Sequence, residues 1–167
     1  VPSSPDDPEA AVLAGLARLG VAYERLECDP EAADTAVFCE RYGVAPEDSA
    51  NTIIVASKKE PRRYAACLVL ATTRLDVNHR VRELLGVSRL SFATAGETAE
   101  ITGMRMGGVT PFGLPEGIPI YVDAAVMRRP SVVVGGGGRS SKLRLEPREL
   151  LKVPGTAVVE GLAQPRA

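Results

Sequence analysis

The chain has 167 residues, 45% of them hydrophobic and 25% charged, enough for one globular domain with its own core and too few for two of ordinary size. Twenty basic residues against twenty-one acidic ones leave a formal net charge of −1, which excludes a bulk basic field, so that a polyanionic partner has to be held locally. No apolar run approaches the roughly 18 residues of a bilayer span and the first ten residues are polar and acidic, so the expected setting is the cytoplasm, with no membrane partner.

Residues 8–19 carry Val12, Leu13, Leu16 and Leu19 at helical spacing and stop before Gly20, which predicts a first helix closed by a C-terminal glycine. Residues 21–26 alternate and read as a strand. Asp34 or Thr35 can cap a short helix over 36–42 that Gly43 ends. Two β-rich runs, NTIIVAS at 51–57 and RYAACLVLA at 63–71, flank the turn-prone KKEP and predict a hairpin at the centre of the sheet. Asn78 is expected to cap a helix over 79–85 ahead of Gly86, and Thr94 with Glu97 matches a capping box for a helix reaching Thr102. Strands are expected near 118–122, 131–134 and 142–145, then a short helix at 147–151 and a last strand near 156–159. This order predicts a single α+β domain over 1–167, a mixed, mainly antiparallel sheet flanked by helices, with 1–7 flexible.

Residues that carry chemistry are few. Cys28, Cys39 and Cys67 fit neither a disulfide framework nor a paired metal-ligand spacing, and read as small core or surface residues. The single histidine, His79, follows the expected helix cap and reads as a surface or capping residue in preference to a general base. No Ser/His/Asp arrangement is evident. What the sequence does offer is two glycine-rich loops. GGVTPFGLP, at 107–115, packs three glycines and two prolines into nine residues while keeping Val109, Phe112 and Leu114 apolar, the composition of a loop that presents its backbone. GGGGR, at 135–139, lacks the GxxxxGK[ST] arrangement and following helix of a phosphate loop, and taken alone is as readily a hairpin turn.

From TAVFCERYGV through NTIIVAS, RYAACLVLA, RLDVNHRVRELLG, GGVTPFGLP, IYVDAAV and GGGGR, most of the chain resembles the YbaK/prolyl-tRNA synthetase associated domain family. Its members are free-standing aminoacyl-tRNA deacylases and the editing insertion of bacterial prolyl-tRNA synthetases. The resemblance implies a compact mixed-sheet domain whose small pocket takes the 3′ end of a charged tRNA and hydrolyses a mischarged ester. It implies that Gly107 and Gly108, opening a GxxxP motif completed by Thr110 and Pro111, position substrate and water through backbone groups. An aminoacyl ester is already activated, so placing a water and stabilising the developing oxyanion with fixed dipoles suffices without a catalytic triad, and neither metal nor cofactor is expected. Asn51 and Thr52 at the start of the central strand, and Gly136, Gly137 and Arg139 of the second loop, are expected to border the same cleft. Thr35 and Phe38 come from a helix that covers one side of the pocket in the family. Tyr23 and Phe38 are candidates to line it or to stack on the terminal adenine, although such aromatics are more often core. Asp123 reads as structural more readily than as a pocket residue.

One position departs from the family pattern. Where a lysine commonly opens the central strand, this chain has Asn51, an uncharged donor and acceptor in place of a cation. Arg139 and Lys142 are the candidates to replace that charge, whereas Lys58 and Lys59 read as a solvated turn. The expected function is a trans-editing deacylase for a tRNA mischarged with a small amino acid, engaging the aminoacyl-tRNA 3′ end and transiently an aminoacyl-tRNA synthetase. The loss of the lysine keeps two alternatives open: a catalytically silent module that binds tRNA ends or a protein, and a hydrolase of other small esters or amides.

Overall fold

The computed structural model of the protein describes residues 7–166, so the stretch expected to be flexible lies, apart from Asp7, outside the described residues. Helix α1 (Pro8–Leu19) starts where the Asp7 carboxylate accepts a hydrogen bond from the Glu9 amide at 3.0 Å and ends at Gly20 with φ 67°. Along the chain follow β1 (Glu24–Glu27), α2 (Thr35–Tyr42), β2 (Ala50–Ser57), β3 (Tyr64–Leu70), β4 (Thr73–Leu75), α3 (Arg82–Leu85), β5 (Leu90–Phe92) and α4 (Ala95–Thr102). The second half adds β6 (Ile120–Asp123), α5 (Ala124–Met127), β7 (Val132–Gly135), β8 (Ser141–Leu145), β9 (Thr156–Val159) and β10 (Ala163–Pro165). Among the described residues no helix is long and apolar enough to cross a membrane.

The larger sheet has five strands in the order β5–β2–β3–β6–β9. β2 and β3 form the expected hairpin, antiparallel, with Asn51 opposite Val69 and Ala56 opposite Tyr64. β5 joins the outer edge of β2 antiparallel, while β6 and β9 add in parallel beyond β3. A second, antiparallel sheet of three strands runs β1–β8–β7, and β4 pairs with β10 in a small third one. An isolated parallel bridge between Ser49 and Val133 ties the first two sheets together just ahead of β2. The result is the mixed, mainly antiparallel α+β architecture that the sequence predicts.

Burial explains why β3 reads as a continuous apolar run. One of its faces, through Ala66, Leu68 and Leu70, packs on α1, Phe112 and the three-stranded sheet, while Cys67 and Val69 pack on the other side against Leu75, Val81, Leu85 and Leu162. Helix α2 lies over a smaller cluster of Cys28, Ala33, Phe38, Cys39, Val44 and Val133. All three cysteines are buried free thiols, and burial pushes Cys67 up to about 12, so it is held as an inert core residue.

Several boundaries differ from the sequence reading, each for a physical reason. The first strand begins at Glu24 instead of residue 21 because the Val21 amide closes the end of α1 on the Leu16 carbonyl and the Ala22 amide donates to Glu149 Oε1 at 2.8 Å. Asp76, and not Asn78, caps the segment before α3. Its carboxylate accepts from the His79 amide at 3.2 Å across a wide π-type turn at Val77–Val81. The capping box at α4 is half closed: Thr94 accepts from the Glu97 amide at 3.1 Å, but the Glu97 carboxylate turns to Arg62. Helix α5 and the three-residue strands β4, β5 and β10 carry too little pattern to be read from sequence.

Candidate functional site

A cavity of about 340 Å³ opens at the seam between the two larger sheets. Its walls are residues 49–53 at the start of β2, Asp34 and Thr35 at the head of α2, Met106, Gly107 and Val109 of the first glycine loop, Val133, Val134 and Gly135 of β7, and Lys142 of β8. A larger cavity, about 600 Å³, lies behind the first loop against Arg18, Leu114, Ile118 and Val153, but the polar side chains lining it, Arg18 and Glu116, are too few to make a reaction centre. Chemistry is concentrated at the seam.

Two groups of polar atoms meet there. The Thr35 hydroxyl donates to Asn51 Oδ1 at 2.5 Å, which fixes the amide of Asn51 so that its two N–H donors stay without a partner among the described residues. Thr52 sits in the same wall with a buried hydroxyl that has no hydrogen-bond partner there either. Lys142 enters from the three-stranded sheet. Its Nζ donates to the carbonyls of Ala33, at 2.6 Å, and Gly107, and stands 5.4 Å from the centroid of the Phe38 ring. At 5% exposed it is a buried ammonium, and desolvation holds its pKa below the usual lysine value, only partly offset by Cys28, Asp34 and Cys39.

The two glycine loops are locked to one another. The Gly137 amide donates to the Gly108 carbonyl at 2.6 Å, and the Arg105 amide donates to the Gly137 carbonyl at 3.0 Å. A Cβ at Gly108 would stand 2.7 Å from the Gly138 carbonyl carbon, and one at Gly135 would stand 2.5 Å from the Gly108 carbonyl group. Gly137, with φ 99°, packs equally tightly on Pro8 and Val12 of α1. The glycines thus serve backbone-to-backbone contact within the protein. Arg139 completes the frame: it donates to Pro30 O at 2.9 Å, Met106 O at 2.7 Å and Asp34 Oδ1 at 3.1 Å, strapping the first loop to the segment before α2. With the Met106 and Gly107 carbonyls engaged by Arg139 and Lys142, the amides of Gly107 and Val109 have no hydrogen-bond partner among the described residues.

Of the residues named from sequence, Asn51, Thr52, Thr35 and Gly107 line the cavity together. Gly108 and Gly137 lie behind its wall for the packing reasons above, Gly136 lies there packed against Ser141, and Arg139 acts as a strap. Thr110 is fully buried with a hydroxyl that has no partner among the described residues, Pro111 faces the larger cavity, and Phe38 is a core residue beneath Lys142. Tyr23 lies exposed just before β1, away from the lining. His79 is exposed beside Asp76, and Asp123 is buried at the head of α5, both outside the cavity. Lining residues that the sequence reading missed are Ser49, Ala50, Ile53, Met106, Val133 and Val134. They carry no local signal, since the bridge between Ser49 and Val133 joins segments more than eighty positions apart.

Comparison with known proteins agrees with this arrangement. Over 73 residues the chain is 34% identical to the uncharacterized protein YwhH of Bacillus subtilis, covering 44% of this chain and 46% of that protein. Over 94 residues it is 35% identical to a proline–tRNA ligase of Bacillus licheniformis, covering 56% of this chain and 16% of the ligase. The matched stretches thus span less than half of either relative. Among solved structures, a hypothetical protein superposes with a TM-score of 0.81 at 28% identity, covering 92% of this chain and 99% of the other. A proposed trans-editing enzyme for prolyl tRNA synthetase also gives 0.81, at 26% identity, covering 98% and 99%. Residues 29–153, which contain α2, the hairpin, both glycine loops and every wall of the seam cavity, match the family model for the aminoacyl-tRNA editing domain, and the chain belongs to that family.

Proposed function

We propose that the protein is a trans-acting aminoacyl-tRNA deacylase that removes a small amino acid from a mischarged tRNA at the seam cavity. The observation that carries this reading is the convergence, in one cavity, of unpartnered donors on Asn51, Gly107 and Val109 beside a buried cation on Lys142. Water adds to the ester carbonyl, negative charge develops on its oxygen, and the bond to the ribose oxygen breaks to release the amino acid and a tRNA hydroxyl. Fixed donors stabilise that charge without reorganising, which is the form of catalysis open to a site whose walls, among the described residues, hold no histidine to activate a hydroxyl. Lys142 acts at one remove, holding the Gly107 carbonyl so that the loop keeps its shape. A volume of about 340 Å³ lies at the small end of ligand pockets and suits a small aminoacyl group with part of its ribose.

The test is a panel of tRNAs charged with alanine, serine, threonine, proline and larger residues, scored for release of free amino acid. Release from one or more small-residue esters is expected, and release from none overturns the hydrolytic reading. Asn51 favours a second reading, since it brings no charge of its own to the site: a silent module that binds the charged end. That reading predicts measurable tRNA binding with no release from any member of the panel.

A further inference from the structure

The seam cavity holds only the end of an aminoacyl-tRNA, so the rest of that polyanion has to cross a protein surface whose overall charge is −1. Surface charge is unevenly spread. Around α2, Glu31, Glu40 and Glu47 are exposed, while Glu24 and Glu27 on the outer edge of the three-stranded sheet pair with Arg144 and Arg25. At the opposite end of β2, beyond Ser57, three separate segments bring basic residues together. Lys58, Lys59 and Arg63 come from the β2–β3 turn, Arg82 from α3 and Arg89 from the segment before β5.

All five are exposed and none pairs with a carboxylate among the described residues, whereas neighbouring Arg62 and Arg80 are taken up by Glu97 and Glu83. Hydrogen bonds hold these segments together: the Lys58 amide donates to the Arg89 carbonyl at 3.1 Å, the Arg63 amide donates to the Ser57 hydroxyl oxygen at 2.7 Å, and Arg82 Nη1 reaches the Ser88 carbonyl at 3.5 Å. Lys59, Arg63 and Arg89 share the lining of a cleft of about 210 Å³ with a single carboxylate, Glu60. A merely solvated turn would not recruit cations from three segments.

We infer that this basic end of the five-stranded sheet is the surface that carries the sugar–phosphate backbone of the tRNA, distinct from the cavity that takes its charged end. From Asn51 to Ser57 the strand advances about 3.3 Å per residue, which sets the patch about 20 Å from the cavity. At about 3.4 Å per stacked nucleotide that is a reach of about six nucleotides, so an intact tRNA spans both places and a trinucleotide does not. The inference rests on the proposed substrate being an aminoacyl-tRNA.

The experiment compares the full protein with its Lys58→Glu/Lys59→Glu/Arg89→Glu variant and with a milder Lys58→Gln/Lys59→Gln variant, with thermal melting confirming that each is folded. Uncharged tRNA is titrated by fluorescence anisotropy between 50 and 200 mM salt, and hydrolysis is followed on an aminoacyl trinucleotide ending in the terminal adenosine. Charge reversal is expected to weaken tRNA binding at least tenfold and to flatten the log–log salt dependence by about 2, at about 0.7–0.9 for each phosphate no longer neutralised. The neutral variant falls between, and trinucleotide hydrolysis stays within twofold. Unchanged tRNA affinity and slope overturn the inference, as does an equally large drop in trinucleotide hydrolysis. A wild-type protein that hydrolyses nothing while the variants still bind tRNA more weakly overturns the deacylase reading and leaves the RNA surface standing.

Discussion

At Gly108 an added methyl group meets backbone, the Gly138 carbonyl carbon at 2.7 Å, which has no freedom to swing aside. Gly108→Ala is therefore expected to cost about 2–3 kcal/mol of stability by overpacking, seen as a lower urea midpoint, with activity falling in step. Gly107 next to it differs, because at φ 87° its added carbon would first meet the guanidinium end of Arg139, a side chain that can shift at the expense of its bonds to Pro30, Met106 and Asp34. Gly107→Ala is expected to cost about 1–2 kcal/mol for the left-handed backbone and to cut deacylation by more than the stability loss explains. Equal loss of stability and rate in both variants would return Gly107 to a structural role. The sequence displays both glycines identically, and only the position of the second loop separates them. Thr35 allows a finer test. Thr35→Val removes the donor that orients Asn51 and is expected to slow deacylation about tenfold or less, the worth of a neutral hydrogen bond, while Tm moves by only a few degrees. An unchanged rate would mean that the Asn51 amide needs no such anchor.

Among the elements, those whose boundaries the sequence displays are closed by local groups: α1 by Asp7 and Gly20, α2 by Gly43, α4 by Thr94 and Gly103. Those it conceals are set by remote ones. β1 starts late because Glu149, 127 positions away, takes the Ala22 amide at 2.8 Å. The same carboxylate pairs with Lys152 at 2.7 Å, so the 3₁₀ turn at Pro147–Lys152 is clamped to the segment leading into β1. The Lys152 hydrogen bond and the Ala22 amide hold Glu149 below its ordinary value of 4.5. A carboxylate depressed in the folded state stabilises above its unfolded pKa and loses that contribution as pH falls through the lower folded value. Glu149→Gln should accordingly melt below the wild type at pH 6, and the gap should close on acidification well under pH 4.5. A gap that persists unchanged at pH 3 would assign the loss to packing instead of charge.

On the scale of the whole molecule, the two larger sheets meet at the bridge from Ser49 to Val133, and beside that seam Lys142 joins β8 to the Ala33 segment and to Gly107. Fold class was legible in the sequence because strand pattern and glycine punctuation are local, and the Asn51 wall was legible through its family motif. That Lys142 is buried was not, since SSKLRL reads as an ordinary exposed alternation. Its pKa is lowered in the folded state, so between that lowered value and the ordinary 10.5 the unfolded chain binds more protons and stability gains with rising pH. Relative to Lys142→Met, urea midpoints of the wild type should rise with pH below 10.5 while deacylation declines as the charged strap on Gly107 is lost. Parallel pH profiles of the two proteins would show that Lys142 does not titrate there.

The cavity's walls are spread from Asp34 to Lys142. On a ribosome adding about 5–20 residues per second, the last wall emerges about 5–20 s after the first. A nascent chain halted before β8 already carries α2, the β2–β3 hairpin and the first glycine loop, yet lacks the lysine that ties that loop to the segment before α2 and the strand on which β1 and β7 pair. On the proposed function, an incomplete chain is thereby kept from acting on charged tRNA before β8 has been made.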